Sequence, residues 1–237
     1  MGQNNNIIRY QIETKSNCLI GSQNITFSIG GVDQSTTVDE KGRPIIHGSA
    51  IKGTLRSIAR KEKDELPECK KLVEKILDKI AEKYKNLKED VKEQEAVKNV
   101  MKLIAAKQNA AQAEDIFGIG GLSQMPALSF SDVKVIEEGI KDTSEYFQID
   151  TKNTLEETGN NIVSKPRTYQ VIKPEVVFQG NIVFKGFEEF EADIDSAKKE
   201  IESLLKKFNG DEYRIGNSKS RGYGKIEVTI LLGGENE

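Results

Sequence analysis

Apolar residues recur along this chain with two periods, and the switches between them mark its elements. Residues 7–21, IIRYQIETKSNCLIG, open in alternation through Ile8, Arg9, Tyr10, Gln11 and Ile12, which predicts a strand running to Gly21. Residues 22–46 are polar and loop-like around Gly30-Gly31-Val32-Asp33, with a second turn signal at Glu40–Pro44. From Gly48 the period becomes helical. Ile51, Leu55, Ile58 and Ala59 share one face, Lys52, Arg56 and Arg60 recur every fourth position on another, and Ser49 is the expected cap.

A Lys/Glu-rich stretch follows over 61–113. Its apolar positions, Leu72, Ile76 and Ile80, then Val97, Val100, Leu103 and Ile104, predict two or three amphipathic helices divided near Pro67 and around Asn86-Leu87. Their mixed charges predict a solvated face. Alternation returns over Ala127–Val135, lapses through the polar, weakly patterned residues 138–170, and is strong over Glu175–Lys185. Asp193–Phe208 reads as a helix with Ile194, Ala197, Ile201 and Leu204-Leu205 inward, and Tyr213–Leu232 as a glycine-rich loop leading into a last strand. The order is strand, helix, helical insert, strand, polar excursion, strand, helix, strand. It predicts an α+β fold, a ferredoxin-like or RNA-recognition-motif-type antiparallel sheet with helices on one face. The length of 237 residues suits one domain, with 61–113 as an insertion and 138–170 as an excursion. Connections that long serve function or partner contact.

Composition narrows the chemistry. With 31% charged residues, 6% aromatics and no Trp, a surface built on stacked bases is disfavoured against one built on phosphates. The net charge of −3 is unusual for a free nucleic-acid binder, but the charge is segregated. Residues 137–157 and 187–203 are acidic, whereas 214–225 hold four cations and no acid. The two cysteines, Cys18 and Cys69, lack metal-like spacing, and Cys18 beside Leu19-Ile20 reads as a core thiol. No apolar stretch approaches membrane-spanning length and no signal peptide is evident, so a reducing cytoplasm is the expected location and no membrane partner is expected.

Two segments concentrate bare backbone, hydroxyls and cations. Gly48-Ser49-Ala50-Ile51-Lys52-Gly53-Thr54-Leu55-Arg56 sits at a helix start, where unsatisfied amides and the helix dipole favour an anion. An ordinary capped helix with solvated cations would look the same. The order of residues does not fit a Walker A loop, and Ser49-x-x-Lys52 lacks the partner motifs of a serine hydrolase. The second segment runs from Arg214 to Lys225. An anion-binding turn accounts for Ser218, Lys219, Ser220, Arg221, Tyr223 and Lys225 together, while a plain hairpin loop accounts only for the glycines and the polarity. Asp33 is a turn former or a carboxylate that holds a divalent ion beside an RNA backbone. His47, the single histidine, is a general base or a structural or RNA-contact residue. Asp115–Gly118 and Phe130-Ser131-Asp132 read as structural, with Phe117 and Phe130 docking the insertion on the sheet.

Taken together, Gly48–Arg56, Ile116-Phe117-Gly118, Phe130-Ser131-Asp132 and Ser220–Lys225, in that order, resemble the RAMP superfamily of CRISPR RNA-guided effector proteins. The resemblance spans roughly residues 7–230 and is greatest to the repeated backbone subunit of type III interference complexes. It implies an antiviral, metal-dependent endoribonuclease that grips guide RNA and cuts complementary target RNA at regular intervals. Asp33, in Ile29-Gly30-Gly31-Val32-Asp33, then corresponds to the catalytic aspartate, acting with Mg²⁺ or another divalent ion held through the RNA. His47, Ser49, Lys52, Arg56 and the 218–225 loop become RNA contacts, and 138–170 the thumb hairpin that interrupts the duplex. The implied partners are guide RNA, target RNA, further copies of the chain in a filament and other effector subunits, with the acidic surfaces facing neighbouring subunits. The chain departs from the family at His47, where Pro is usual, in its long insertion and in its polar last loop. Those departures keep two alternatives: a non-catalytic capping or spacing subunit, and a metal-independent guide-processing endonuclease acting through His47.

Overall fold

The computed structural model describes residues 6–21, 32–136, 142–158 and 161–231. Its centre is an antiparallel sheet. β1 (Ile7–Thr14) lies between β7 (Val177–Lys185) and β8 (Ile226–Leu231), and the far side of β7 carries β3 (Ala127–Phe130) and β4 (Val133–Val135). The two-residue β2 (Ile45–Ile46) closes that edge on β4. Strand order and direction are those of the α+β sheet expected from the sequence. The alternation of β1 explains its place: Ile8, Tyr10, Ile12 and Thr14 are buried beneath the helices, while Arg9 points to solvent.

Helix α1 (Gly48–Lys61) buries Ile51, Leu55, Ile58 and Ala59. The insertion is α2 (Pro67–Lys85), the single turn α3 (Glu89–Lys92) and α4 (Glu95–Asn109), divided where Pro67 and Asn86-Leu87 predict. Helix α5 (Glu191–Lys206) buries Ile194, Ala197, Ile201, Leu204 and Leu205. One apolar core runs from the sheet through α1 and α5 into α2. Phe117, at the end of the insertion, stacks on Phe130 of β3 with ring centroids 6.0 Å apart, so these two rings do dock insertion and sheet. Both cysteines are buried free thiols, and burial pushes the Cys18 thiol up to about 12.

Four expectations need correction. β1 ends at Thr14 rather than Gly21, because the Thr14 hydroxyl donates to the Lys173 carbonyl at 2.7 Å and accepts from the Val176 amide at 3.0 Å, closing the strand side-on. Residues 127–135 are two strands, separated where the Ser131 hydroxyl accepts the Asn181 amide at 2.9 Å in place of a ladder carbonyl. Ser49 is not the cap of α1. His47 occupies the N-cap, and the Gly48 amide donates to the Asp132 carboxylate at 2.9 Å. Part of the acidic 187–203 stretch is used within the chain rather than against neighbours. Asp193 pairs with Lys75 at 2.6 Å, Glu189 pairs with Lys79, and Glu200 accepts the orphan amides of Glu68 and Cys69 at 2.8 and 2.7 Å, capping α2 from a distant element.

β5 (Phe147–Thr158) and β6 (Asn161–Ile172) form a long antiparallel hairpin in register from Phe147↔Ile172 to Thr158↔Asn161. Residues 138–141 and 159–160 of the proposed thumb lie outside the described residues.

Candidate nucleic-acid interface

The exposed face of α1 is flanked by two clefts. One, of about 600 Å³, is lined by Gly48, Ser49 and Lys52 of α1, Ser129 of β3 and Lys185 of β7. The other, of about 540 Å³, lies between Thr54, Ser57 and Lys61 of α1 and Arg214, Lys219 and Ser220 of the last loop. The sequence does not single out Lys61 or Lys185. Lys61 hides in the solvated end of a helix, and Lys185 ends a strand.

The chain reaches this geometry through close backbone approach. A Cβ on Gly48 would lie 2.6 Å from the Phe130 carbonyl, so only glycine lets α1 start against the β3–β4 corner. That corner brings Asp132 to the helix start, where its carboxylate takes the Gly48 amide and lies 3.5 Å from the His47 ring. A carboxylate at the first amide repels a phosphate there. His47 remains half exposed, with Asp132 as a partner that sequence spacing does not reveal.

Lys52 and Arg56 are held in a specific way. The Lys52 ammonium donates to the Leu128 carbonyl at 3.4 Å, and the Arg56 guanidinium to the Gly118 carbonyl at 2.6 Å. Partial burial, and after it the Arg56 charge, draw the Lys52 pKa down. Carbonyl dipoles fix these side chains without cancelling their charge. Among the described residues no ion pair involves Lys52, Arg56, Lys219 or Arg221.

The last loop divides into a tip and a root. Lys219, Ser220 and Arg221 form an exposed turn entered by Ser218, which adopts a left-handed backbone at φ 57°. Tyr223 and Lys225 belong to the root. Lys225 pairs with Asp211 at 2.6 Å. The Tyr223 ring is buried with Leu19, Tyr169 and Val171, its hydroxyl donates to Asp150 of β5, and the Lys152 ammonium sits 3.6 Å from the ring centroid. Tyr223 thus joins the loop to the hairpin.

Asp33 meets the same hairpin. Its amide donates to the Thr168 carbonyl at 2.8 Å, and one carboxylate oxygen accepts from the Thr168 amide at 2.6 Å and the Thr168 hydroxyl at 3.2 Å. Residues 29–31, which precede it, lie outside the described residues. The structure gathers His47, Ser49, Lys52, Arg56 and the loop tip along α1, and Asp33 with Tyr223 at the hairpin base. The described residues contain no cluster of three or more His, Cys, Asp or Glu able to hold a metal, and no helix long and apolar enough to cross a membrane.

The chain is similar to known proteins in sequence and in fold. The family model of the RAMP superfamily matches residues 11–227. The CRISPR system Cms endoribonuclease Csm3 of Methanocaldococcus jannaschii is 27% identical over 220 residues, covering 91% of this chain and 75% of that protein. A chain of the cryo-EM structure of type III-B Cmr-β bound to cognate target RNA superposes with a TM-score of 0.56 at 18% identity. The match covers 96% of this chain and 61% of that one, and it speaks for the fold. A chain of the Cmr-β apo state gives a TM-score of 0.49 at 12% identity, over 98% of this chain and 99% of that one.

Proposed function

The chain belongs to the RAMP superfamily, and on that premise we propose that it is a guide-RNA-binding backbone subunit of a type III CRISPR effector complex that cuts complementary target RNA at regular intervals. The observation that carries this reading is the state of two cations of α1, Lys52 and Arg56; the last two, Arg60 and Lys61, meet the carboxylates of Glu114 and Glu212. Lys52 and Arg56 are oriented by carbonyls and keep their charge, as a phosphate-binding surface requires. Guide phosphates cross α1 from the Ser49–Lys52 cleft to the Lys61–Lys219 cleft. Sequence is read by pairing with the guide, so the protein needs no base-specific contacts. The open sheet face suits that division of labour, since β1 and β7 present Arg9, Gln11, Gln179 and Asn181 there and no aromatic platform. Copies of the chain stack along the guide, and the hairpin, with Ile149 58% exposed, interrupts the duplex in each repeat.

Cleavage is assigned to Asp33, in keeping with the endoribonuclease name of the Methanocaldococcus relative. One oxygen of its carboxylate is held by Thr168, which leaves the other for a cation. A single carboxylate suits Mg²⁺, which takes its remaining oxygens from phosphates and water. Such an ion, when bound, supplies charge neutralisation at the reacting phosphate. The hairpin contributes orientation, holding a splayed target nucleotide so that its 2′-hydroxyl lines up with the adjacent phosphate.

The Asp33–Thr168 bonds also favour a second reading, in which Asp33 only fastens the hairpin and the subunit is a non-catalytic spacer. The deciding experiment assembles the complex on guide RNA and adds complementary target with Mg²⁺. For Asp33→Ala, periodic cuts are expected to fall by about 100-fold or more with target binding unchanged. Binding without cuts in both proteins makes the chain a spacer. Cuts within the guide precursor that survive EDTA point instead to His47, backed by Asp132.

A further inference from the structure

We propose that Thr168 is the positioning residue of the Asp33 carboxylate, so that seating the hairpin and orienting the carboxylate are one event; this rests on the reading of Asp33 as the cleaving residue. Two donors of Thr168 converge on one oxygen of Asp33, the amide at 2.6 Å and the hydroxyl at 3.2 Å. Two donors on one oxygen restrain the rotation of the exposed carboxylate, and both spare the second oxygen. A carboxylate on a loop, otherwise free in two torsions, needs such restraint to act on a reacting backbone.

The surroundings show that the contact belongs to the hairpin and not to the loop alone. Residues 33–36 run beside β6. Gln34 bridges Tyr169 in parallel, the Gln170 amide donates to Gln34 at 2.9 Å, and the Thr36 amide and hydroxyl donate to Gln170 at 3.1 and 3.0 Å. Thr168 faces Thr151, and the next pair, Asp150↔Tyr169, carries the tether to Tyr223. At one level of the hairpin, then, β6 holds the candidate cleaving residue and β5 holds the guide-gripping loop. Main-chain bonds alone would attach residues 33–36 to β6 with any residue at position 168. The hydroxyl bond to Asp33 is extra, and it acts on the carboxylate.

The test compares Thr168→Val, which keeps the shape and removes the hydroxyl donor, with Thr168→Ser, which restores the donor. In the assembled complex, Thr168→Val is expected to slow single-turnover cleavage at saturating target about tenfold with target affinity unchanged, and Thr168→Ser to stay within about twofold of the native rate. In the metal-free chain, hydrogen exchange over residues 32–37 is expected to quicken in Thr168→Val and not in Thr168→Ser. Thr168→Ala serves as a second donor-free variant if Val disturbs the strand. A donor-free variant that cleaves at the native rate, or a Ser variant as slow as Val, overturns the inference while leaving the role of Asp33 intact. Cuts that persist in Asp33→Ala overturn the underlying reading instead.

Discussion

The helical insertion and the α1 surface are both dense in lysine and arginine, yet they use the charge in opposite ways. In and around the insertion, cations meet carboxylates: Lys71 with Glu68 at 2.6 Å, Lys75 with Asp193 at 2.6 Å, Lys92 with Glu89 at 2.7 Å, and Lys107 with the buried Asp115 at 2.7 Å. In the first turns of α1, Lys52 and Arg56 meet carbonyls instead, and only at its C-terminal end do Arg60 and Lys61 meet carboxylates, Glu114 at 3.0 Å and Glu212 at 4.0 Å. A carboxylate cancels the long-range field of a cation, whereas a carbonyl fixes its position and leaves the field in place. Backbone strain divides similarly. The two non-glycine residues with positive φ among those described, Glu175 at 68° and Ser218 at 57°, lie at the hairpin exit and in the last loop, and none lies in the insertion. Charge density in a sequence is therefore a poor guide to binding. What the charge is paired with decides.

Four variants put this contrast at risk. Lys52→Ala with Arg221→Ala is expected to weaken guide RNA binding about 30-fold at moderate salt and to lower the slope of log affinity against log salt by about 1.4, two single-strand phosphate contacts' worth. Lys71→Ala with Lys92→Ala, made in the insertion, is expected to change affinity less than about twofold, because those charges are already neutralised. Equal losses in the two double variants, measured by filter binding at several salt concentrations, would erase the distinction. Tyr223→Phe removes the hydroxyl bond to Asp150 and keeps the packed ring. It is expected to cost about 1–2 kcal/mol of stability in denaturant unfolding, since the carboxylate loses a donor. Glu175→Gly is expected to raise stability slightly, by about 0.5 kcal/mol, as relief of the left-handed strain exceeds the added freedom of glycine in the unfolded chain. A drop in melting temperature would show that the Glu175 side chain contributes something the backbone angle does not.

Much of the fold is legible in the sequence because burial imposes periods. β1, β7, α1, α2 and α5 each cover one face and expose the other, and their patterns follow. The hairpin does not show itself that way. Over the part whose side chains are described, it has little apolar face to bury beyond its base at Tyr169, Val171 and Ile172, so its strands read as polar and unpatterned. The family resemblance supplies it, and the strand ladder bears out the hairpin form. The break at Ser131 shows in the sequence only as a one-residue slip of phase, from Leu128 and Phe130 to Val133 and Val135 across Ser131-Asp132.

The site was half visible for a related reason. Glycines, hydroxyls and cations cluster locally at 48–56 and 214–225, so their chemistry can be read. What they touch cannot. The sequence offers Tyr223 as an RNA contact and Asp33 as a turn former or an RNA-side carboxylate, but it names neither Asp150 nor Thr168, the partners the fold brings to them. Asp132 reads as structural, and its repulsive place at the start of α1 emerges only when the β3–β4 corner delivers it. Each of these partners is far away along the chain, and no spacing rule reaches that far.

Two glycines of this architecture set how the protein can change over generations. Gly48 rests against the Phe130 carbonyl, and a Cβ on Gly224, at φ 80°, would strike the Ile215 carbonyl. Between Gly216 and Gly224, the tip residues Lys219, Ser220 and Arg221 press on nothing and face outward. A lineage can therefore rewrite the tip by ordinary mutation, trading one exposed side chain for another, while Gly216 and Gly224, each with a carbonyl where a Cβ would go, hold the codons on either side. Change has a narrow corridor here, a few adjacent codons framed by two that steric contact keeps in place.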